Sequence, residues 1–208
     1  MKKVININLG GKSFTVNEDA YTKLDKYLRS IERHFAKSSG YEDILYDIEN
    51  RIAELFEEDE KNGTIITNEK VEKIVSIMGK PEHFDDEFVD DEPETFSNPY
   101  IKTGKRLFRD PDDIVIGGVA AGLSSYFGIK DPIFLRIFFV ILGFSGIGVL
   151  PYLILWIAVP SAKSSSDRLA MKGEDINIDS IAKKVEESIL DLKDKLEDLG
   201  NDLKSKIL

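Results

Sequence analysis

The chain contains no cysteine, which excludes disulfides, thiolate nucleophiles and cysteine-ligated metal sites and leaves the redox compartment open. Histidine is nearly as scarce. His34 and His83 are the only two, and neither has a second metal-type ligand at helical spacing. Positive charge is also short: residues 1–100 hold 13 Lys/Arg against 23 Asp/Glu, so the whole net charge of −10 sits there. An acidic domain repels phosphate backbones, and no basic stripe offers the counterion release that nucleic-acid binding needs. The carboxylates are spread over solvated faces rather than paired, so no catalytic residue, cofactor or metal is expected. The opening MKKVININLGG lacks the apolar core of about 7–15 residues that a signal peptide requires, so the N-terminal domain is expected to remain in the cytoplasm.

What is present begins with alternation. Val4, Ile5, Ile7 and Leu9, then Phe14 and Val16, flank Gly10-Gly11-Lys12, a pattern that predicts a β-hairpin. Asn17 stands where a helix cap belongs, ahead of acidic Glu18 and Asp19. Tyr21, Leu24, Leu28, Ile31 and Phe35 then recur at steps of three and four, and Ile44, Leu45, Ile48, Ile52, Leu55 and Phe56 form a second such stripe. Thr64 to Ile66 reads as a short third strand. Thr67 caps a helix through Val71, Ile74, Val75 and Met78. Residues 1–81 are therefore expected to form a small α+β domain, near the lower size at which one core suffices. The stretch from Tyr41 to Met78-Gly79-Lys80-Pro81-Glu82 also resembles the small helical HAAS signalling domains that stand beside membrane segments. Residues 82–104, acidic and then rich in proline and polar residues, read as a linker.

One uncharged run contrasts with all of this. Ile137 to Val159 is 23 residues long, 15 of them Leu, Ile, Phe or Val. As a helix it spans about 34 Å against a hydrocarbon thickness of about 30 Å. The expectation is a membrane protein of the cytoplasmic membrane with the lipid bilayer as a partner. Gly143, Ser145, Gly146, Gly148 and Pro151 interrupt the run, leaving open one kinked transmembrane helix or a hairpin that dips into the bilayer and returns. Basic residues flank both ends. Arg136 lies where it can snorkel to lipid phosphates, Trp156 where an interfacial anchor belongs, and Pro160 ends the segment.

Upstream, Arg106-Leu107-Phe108-Arg109 passes through an Asp-Pro turn into Ile116-Gly117-Gly118-Val119-Ala120-Ala121-Gly122-Leu123. Ile116, Val119, Ala120, Leu123 and Phe127 share one face of an expected amphipathic helix, which Gly128 closes with a left-handed cap. Asp131-Pro132 then caps and starts the apolar helix. The glycines do not form a phosphate loop, because no Lys-Ser/Thr follows them.

In this order, Arg106 to Arg109, Ile116 to Ile129 with Gly117, Gly118, Gly122, Tyr126, Phe127 and Gly128, Asp131-Pro132 to Arg136, and Tyr152 to Trp156 with Pro160 strongly resemble the PspC (phage-shock protein C) domain family. Ala120 departs from it, since many members carry cysteine there. The resemblance places a PspC-like membrane domain at 105–160. It implies a protein of the cytoplasmic membrane that senses or transmits membrane damage and binds protein partners of a stress-response system. Direct nucleic-acid binding is not carried over.

Residues 161–175 read as a second linker. In 176–208, Ile178, Ile181, Val185, Ile189, Leu192, Leu196, Leu199, Leu203 and Ile207 recur with a mean step near 3.6 and a heptad character from Val185 onward. The expected element is an amphipathic or coiled-coil helix. It would self-associate into a homo-oligomer or bind a partner, with packing on the N-terminal domain or lying on lipid as alternatives. The function expected is that of a membrane-anchored envelope-stress sensor or adaptor, and the alternative is an oligomerising scaffold without a signalling role.

Overall fold

The structure is a computed structural model that describes residues 3–59, 65–81, 105–146 and 148–207. The expected linker at 82–104 and Thr64 of the expected third strand lie outside the described residues. The chain forms two units: Met1–Pro99 together with Asn177–Leu208, and Tyr100–Ile176.

In the first unit, β1 (Val4–Leu9) and β2 (Lys12–Asn17) pair antiparallel, from Val4 opposite Asn17 to Leu9 opposite Lys12. Gly10 and Gly11 turn the chain with φ of 56° and 75°, the positive pair that a two-residue hairpin turn demands. Ile66 adds a single parallel bridge to Val16, its N–H donating to the Thr15 carbonyl at 2.9 Å. The sheet of named strands is thus two-stranded.

Helices α1 (Glu18–Phe35), α2 (Tyr41–Asp59) and α3 (Asn68–Met78) cover it. Asn17 stands at the N-cap of α1 without a side-chain cap bond. The buried face of α1 is Ala20, Leu24, Tyr27, Ile31 and Phe35, with Tyr27 rather than Leu28 fully inside. Tyr27 tolerates this because its hydroxyl donates to the Gly79 carbonyl at 2.7 Å. Burial, reinforced by the charge of Asp179, pushes that hydroxyl's pKa up. Ile44, Ile48, Ile52 and Phe56 of α2 meet Val71, Ile74 and Met78 of α3 in the same core.

Helix α8 (Ile178–Ile207) belongs to this unit as well. Its first turns bury Ile178, Ile181, Ala182 and Val185, and it packs on α2. Gly40, at φ 79°, lies under the packed helix: a Cβ there would stand 2.2 Å from Ile189 Cδ1.

Glu49, on α2, has its carboxyl pKa raised by burial, opposed by a hydrogen bond from the Gly10 backbone and supported by the charge of Glu32. A carboxyl with a raised folded pKa holds its proton more tightly when folded. Its stabilising contribution is therefore complete below the ordinary carboxylate range and is lost as pH rises through the folded pKa. Glu49→Gln is expected to raise the thermal midpoint of this unit at about pH 7 and to have almost no effect near about pH 4. Melting curves at the two pH values check it, and an equal shift at both would count against it.

The second unit corrects the expectation of a transmembrane helix. Four short helices follow one another: α4 (Val119–Phe127), α5 (Ile133–Phe144), α6 (Val149–Ala158) and α7 (Ser165–Lys172). Among the described residues no helix is long and apolar enough to cross a membrane. Twelve residues in α5 and ten in α6 give about 18 Å and 15 Å, against about 30 Å of hydrocarbon. The chain reverses between them, with Gly146 at φ 76° and the Gly148 N–H donating back to the Leu142 carbonyl at 3.0 Å. A Cβ on Gly148 would stand 2.4 Å from that of Leu142, so the reversal depends on glycine. Phe139 and Tyr152 then meet edge to face across the two helices, 5.0 Å between ring centres. The fold is mostly helical with one two-stranded sheet, rather than a domain joined to a spanning helix.

The stretch 161–175, read as a linker, contains α7. Ser164 accepts from the Asp167 N–H and the Asp167 carboxylate accepts from the Ser164 N–H, a complete capping box. Leu169, Ala170 and Met171 are buried, and α7 packs on α4.

Candidate functional site

The second unit is organised around an extended strip, residues 105–110, clasped by what lies before and after it in space. Its backbone bonds Arg106 N–H to the Ala170 carbonyl at 3.2 Å, and Arg109 bridges the chain after α6, donating to the Pro160 carbonyl at 2.8 Å and accepting from Ala162 at 3.0 Å. The Arg109 side chain adds two bonds, Nε to the Val159 carbonyl at 2.8 Å and NH1 to the Gly117 carbonyl at 3.1 Å. One guanidinium thus joins the strip, the glycine turn and the end of α6, neutralising two carbonyl dipoles that no helix bond satisfies.

The motif glycines have the same cause. Gly118 caps α4 at φ 72°, and a Cβ on it would fall 2.1 Å from the Asp110 carbonyl oxygen. On Gly122 it would fall 1.9 Å from that of Phe108. On Gly117, at φ 64°, it would meet the Trp156 indole at 2.4 Å. The strip and the indole therefore lie directly against helix backbone, which only glycine permits. This changes the buried face of α4. Val119, Ala120, Ala121, Gly122 and Ser124 face inward, while Ile116 and Phe127 are 59% and 65% exposed. Tyr126 meets Phe127 edge on, and Gly128 ends the helix at φ 72°.

Charges gather at one end of the hairpin. Arg136 NH2 pairs with Asp113 at 2.5 Å, and Arg168 with Asp112 at 3.2 Å. Arg106 lies 5.4 Å from the centre of the Phe108 ring, a cation–π contact. Tyr152 donates to the Ile116 carbonyl. Asp131 accepts from the Ile133 N–H at 2.9 Å, with Pro132 next to it at the helix start. The pairing of Asp113 with Arg136 and of Asp112 with Arg168, like the capping box, is not among the sequence-based expectations. The Ser164-x-x-Asp167 spacing was the one available signal for the last.

Beyond these contacts the hairpin is uncovered. Neither α5 nor α6 has a buried residue, and Phe144 and Ile157 are 90% and 85% exposed. The residues expected on a partner-binding helix face divide in two. Ile181 and Val185 are inside the first unit and Ile189 lies against Gly40, whereas Leu192, Leu196, Leu199 and Leu203 are exposed.

The second unit is thus a glycine-locked helical module that carries an uncovered apolar hairpin. Residues 105–162 match the family model described as PspC domain. No curated protein and no solved structure matches the chain. The match associates the chain with the phage-shock type of stress response; the family is non-enzymatic, and its proteins are generally membrane-associated.

Proposed function

We propose that the chain is an adaptor of a phage-shock-type stress response that attaches to the cytoplasmic membrane by laying the α5–α6 hairpin into one face of the bilayer. The observation that carries this reading is the uncovered hairpin: ten of the 12 residues in α5 are apolar, and the outer faces of both helices are too large an apolar patch to leave in water. A helix of about 18 Å reaches a little past the middle of a hydrocarbon layer about 30 Å thick and must return on the side it entered. Lys105 and Arg106 before the hairpin and Lys163 and Arg168 after it then share one side, which agrees with the preference of basic flanks for the cytoplasm. The exposed stripe of Leu192, Leu196, Leu199 and Leu203 supports a protein contact in the same reading, made with a helix of matching four–three spacing. If that helix is a second copy and signalling is unaffected by its removal, the alternative of an oligomerising scaffold holds instead.

Flotation with lipid vesicles tests the attachment: the protein is expected to rise with them, and recovery from the bottom fraction would sink the proposal. The side is tested in intact cells with Ser97→Cys and Asn201→Cys, made singly in a chain that has no cysteine of its own. Neither is expected to react with a membrane-impermeant thiol reagent, and labelling of either would refute the one-sided arrangement.

A further inference from the structure

Between the hairpin and α4 lies an open-mouthed cavity of about 350 Å³, within the range of small-molecule sites. Its walls repeat a pattern. On α5, Arg136, Phe139, Val140 and Gly143 face it, and on α6, Val149, Tyr152, Leu153 and Trp156. Both sets have the spacing 0, 3, 4, 7, so each helix turns one continuous face to the space for about 10 Å of its length. The floor is Gly118, Ala120 and Ala121, whose small size makes the room. A water-filled cavity would need polar partners along its length; here the charged pair Asp113 and Arg136 stands at one end, and Tyr152 and Trp156 supply the only other polar side-chain atoms of the lining.

That end is Arg136 with Asp113. Arg136 NH2 bonds Asp113, and the other N–H groups of Arg136 have no protein partner among the described residues. Its side chain is only 24% exposed. The site is therefore a narrow apolar trough ending in a half-buried guanidinium with unused donors in a fork that suits a carboxylate or phosphate. The geometry points to a binding site for a single acyl chain with an anionic head, the chain lying along the hairpin and the head on Arg136. Free fatty acids and anionic single-chain lipids share this chemistry, and both accumulate where a bilayer is broken down. The inference deepens the proposed membrane attachment, giving the second unit a ligand whose abundance reports on the lipid, but the cavity exists in the protein alone and is testable without a bilayer.

Trp156 is the chain's only tryptophan and lines the trough, so its fluorescence reports occupancy directly. The purified full chain is titrated with a dibrominated C18 fatty acid below its micelle concentration, and separately with vesicles containing a trace of that acid or the same mole fraction of dibrominated phosphatidylcholine. Saturable quenching is expected, several-fold stronger for the acid than for phosphatidylcholine. Val140→Phe, which fills the trough from an exposed helix position, is expected to abolish the difference. Arg136→Gln should weaken binding about tenfold, as the loss of a charge-assisted bond does, whereas Arg136→Lys should weaken it less. A brominated single-chain phospholipid with an anionic head, tested beside its zwitterionic counterpart, tells whether the head or a free carboxylate is read.

Quenching that is equal for acid and phosphatidylcholine, or unchanged in Val140→Phe with intact circular dichroism, overturns the site even if the protein floats with vesicles. Saturable quenching by the acid in solution from a protein that does not float would uphold the site and remove the membrane attachment.

Discussion

Gly122→Ala is expected to unfold the second unit, although alanine is the better helix former. Judged locally, the change gains about 1 kcal/mol, because glycine inside a helix costs that much relative to alanine. Position 122 lies in α4 with no unusual φ, so nothing in its own backbone opposes a side chain. The opposition comes from across the gap: the new Cβ would stand 1.9 Å from the Phe108 carbonyl oxygen and 3.1 Å from the Arg109 Cα. Both are backbone atoms and cannot swing aside as the tip of a side chain can. The strip must lift off, and with it go the backbone bonds of Arg109 to Pro160 and Ala162 and the two bonds of its guanidinium. Overpacking of a tight core costs about 1–3 kcal/mol, and with this network broken the total should exceed about 4 kcal/mol. Thermal melting with limited proteolysis of the 105–176 region reads the effect. Gly143→Ala is the control, since a Cβ there meets nothing within 4 Å and should be neutral or slightly stabilising. Equal behaviour of the two variants would contradict the account.

Ile141→Asp with Phe144→Asp should release the protein from vesicles without unfolding it. The two side chains are 64% and 90% exposed, so folding loses little when they become polar. In lipid the balance differs. An aspartate near the bilayer centre costs about 2.5–3.5 kcal/mol, and the isoleucine and phenylalanine each contributed about 0.3–0.6 kcal/mol. Even if water and headgroups relieve half of this, the pair should cost about 3 kcal/mol, roughly a hundredfold in partitioning. The measurement is the vesicle partition coefficient beside far-ultraviolet circular dichroism. Unchanged partitioning would mean that the hairpin is not the attachment. A loss reproduced by high salt alone would point to the basic flanks instead.

Much of the first unit was legible because its signals are local. Gly10-Gly11 between alternating residues leaves little but a two-residue hairpin, and the isoleucines of α2 and the apolar residues of α3 fall on their faces by spacing alone. What the sequence did not carry was which residues meet over long separations. The inner face of α4 followed from the approach of residues 106–110, so small residues were buried and Ile116 and Phe127 were left out. Hydropathy over Ile137 to Val159 is blind to direction, and a run that turns back at Gly146 scores like one that continues. The interrupting glycines and Pro151 were the readable trace of that reversal, with Pro151 near the start of α6, where a proline costs a helix little. Along α8 one stripe serves two purposes. Ile181 and Val185 meet their own domain and Leu196 and Leu199 meet none of it, yet the spacing is the same in both halves.

The order of the two units along the chain has a thermodynamic consequence. The segment from Tyr100 to Ile176 is an insertion between the two parts of the first unit, so docking α8 on α2 closes a loop of roughly a hundred residues. The bond between Arg106 and the Ala170 carbonyl ties the two ends of that insertion together. A folded insertion thus shortens the loop that this docking must close, and since each doubling of loop length costs about 0.6 kcal/mol, it favours the docking of α8 by an amount of that order. Whatever loosens the glycine-locked clasp lengthens the tether and weakens the hold on the C-terminal helix, with no contact needed between the two events.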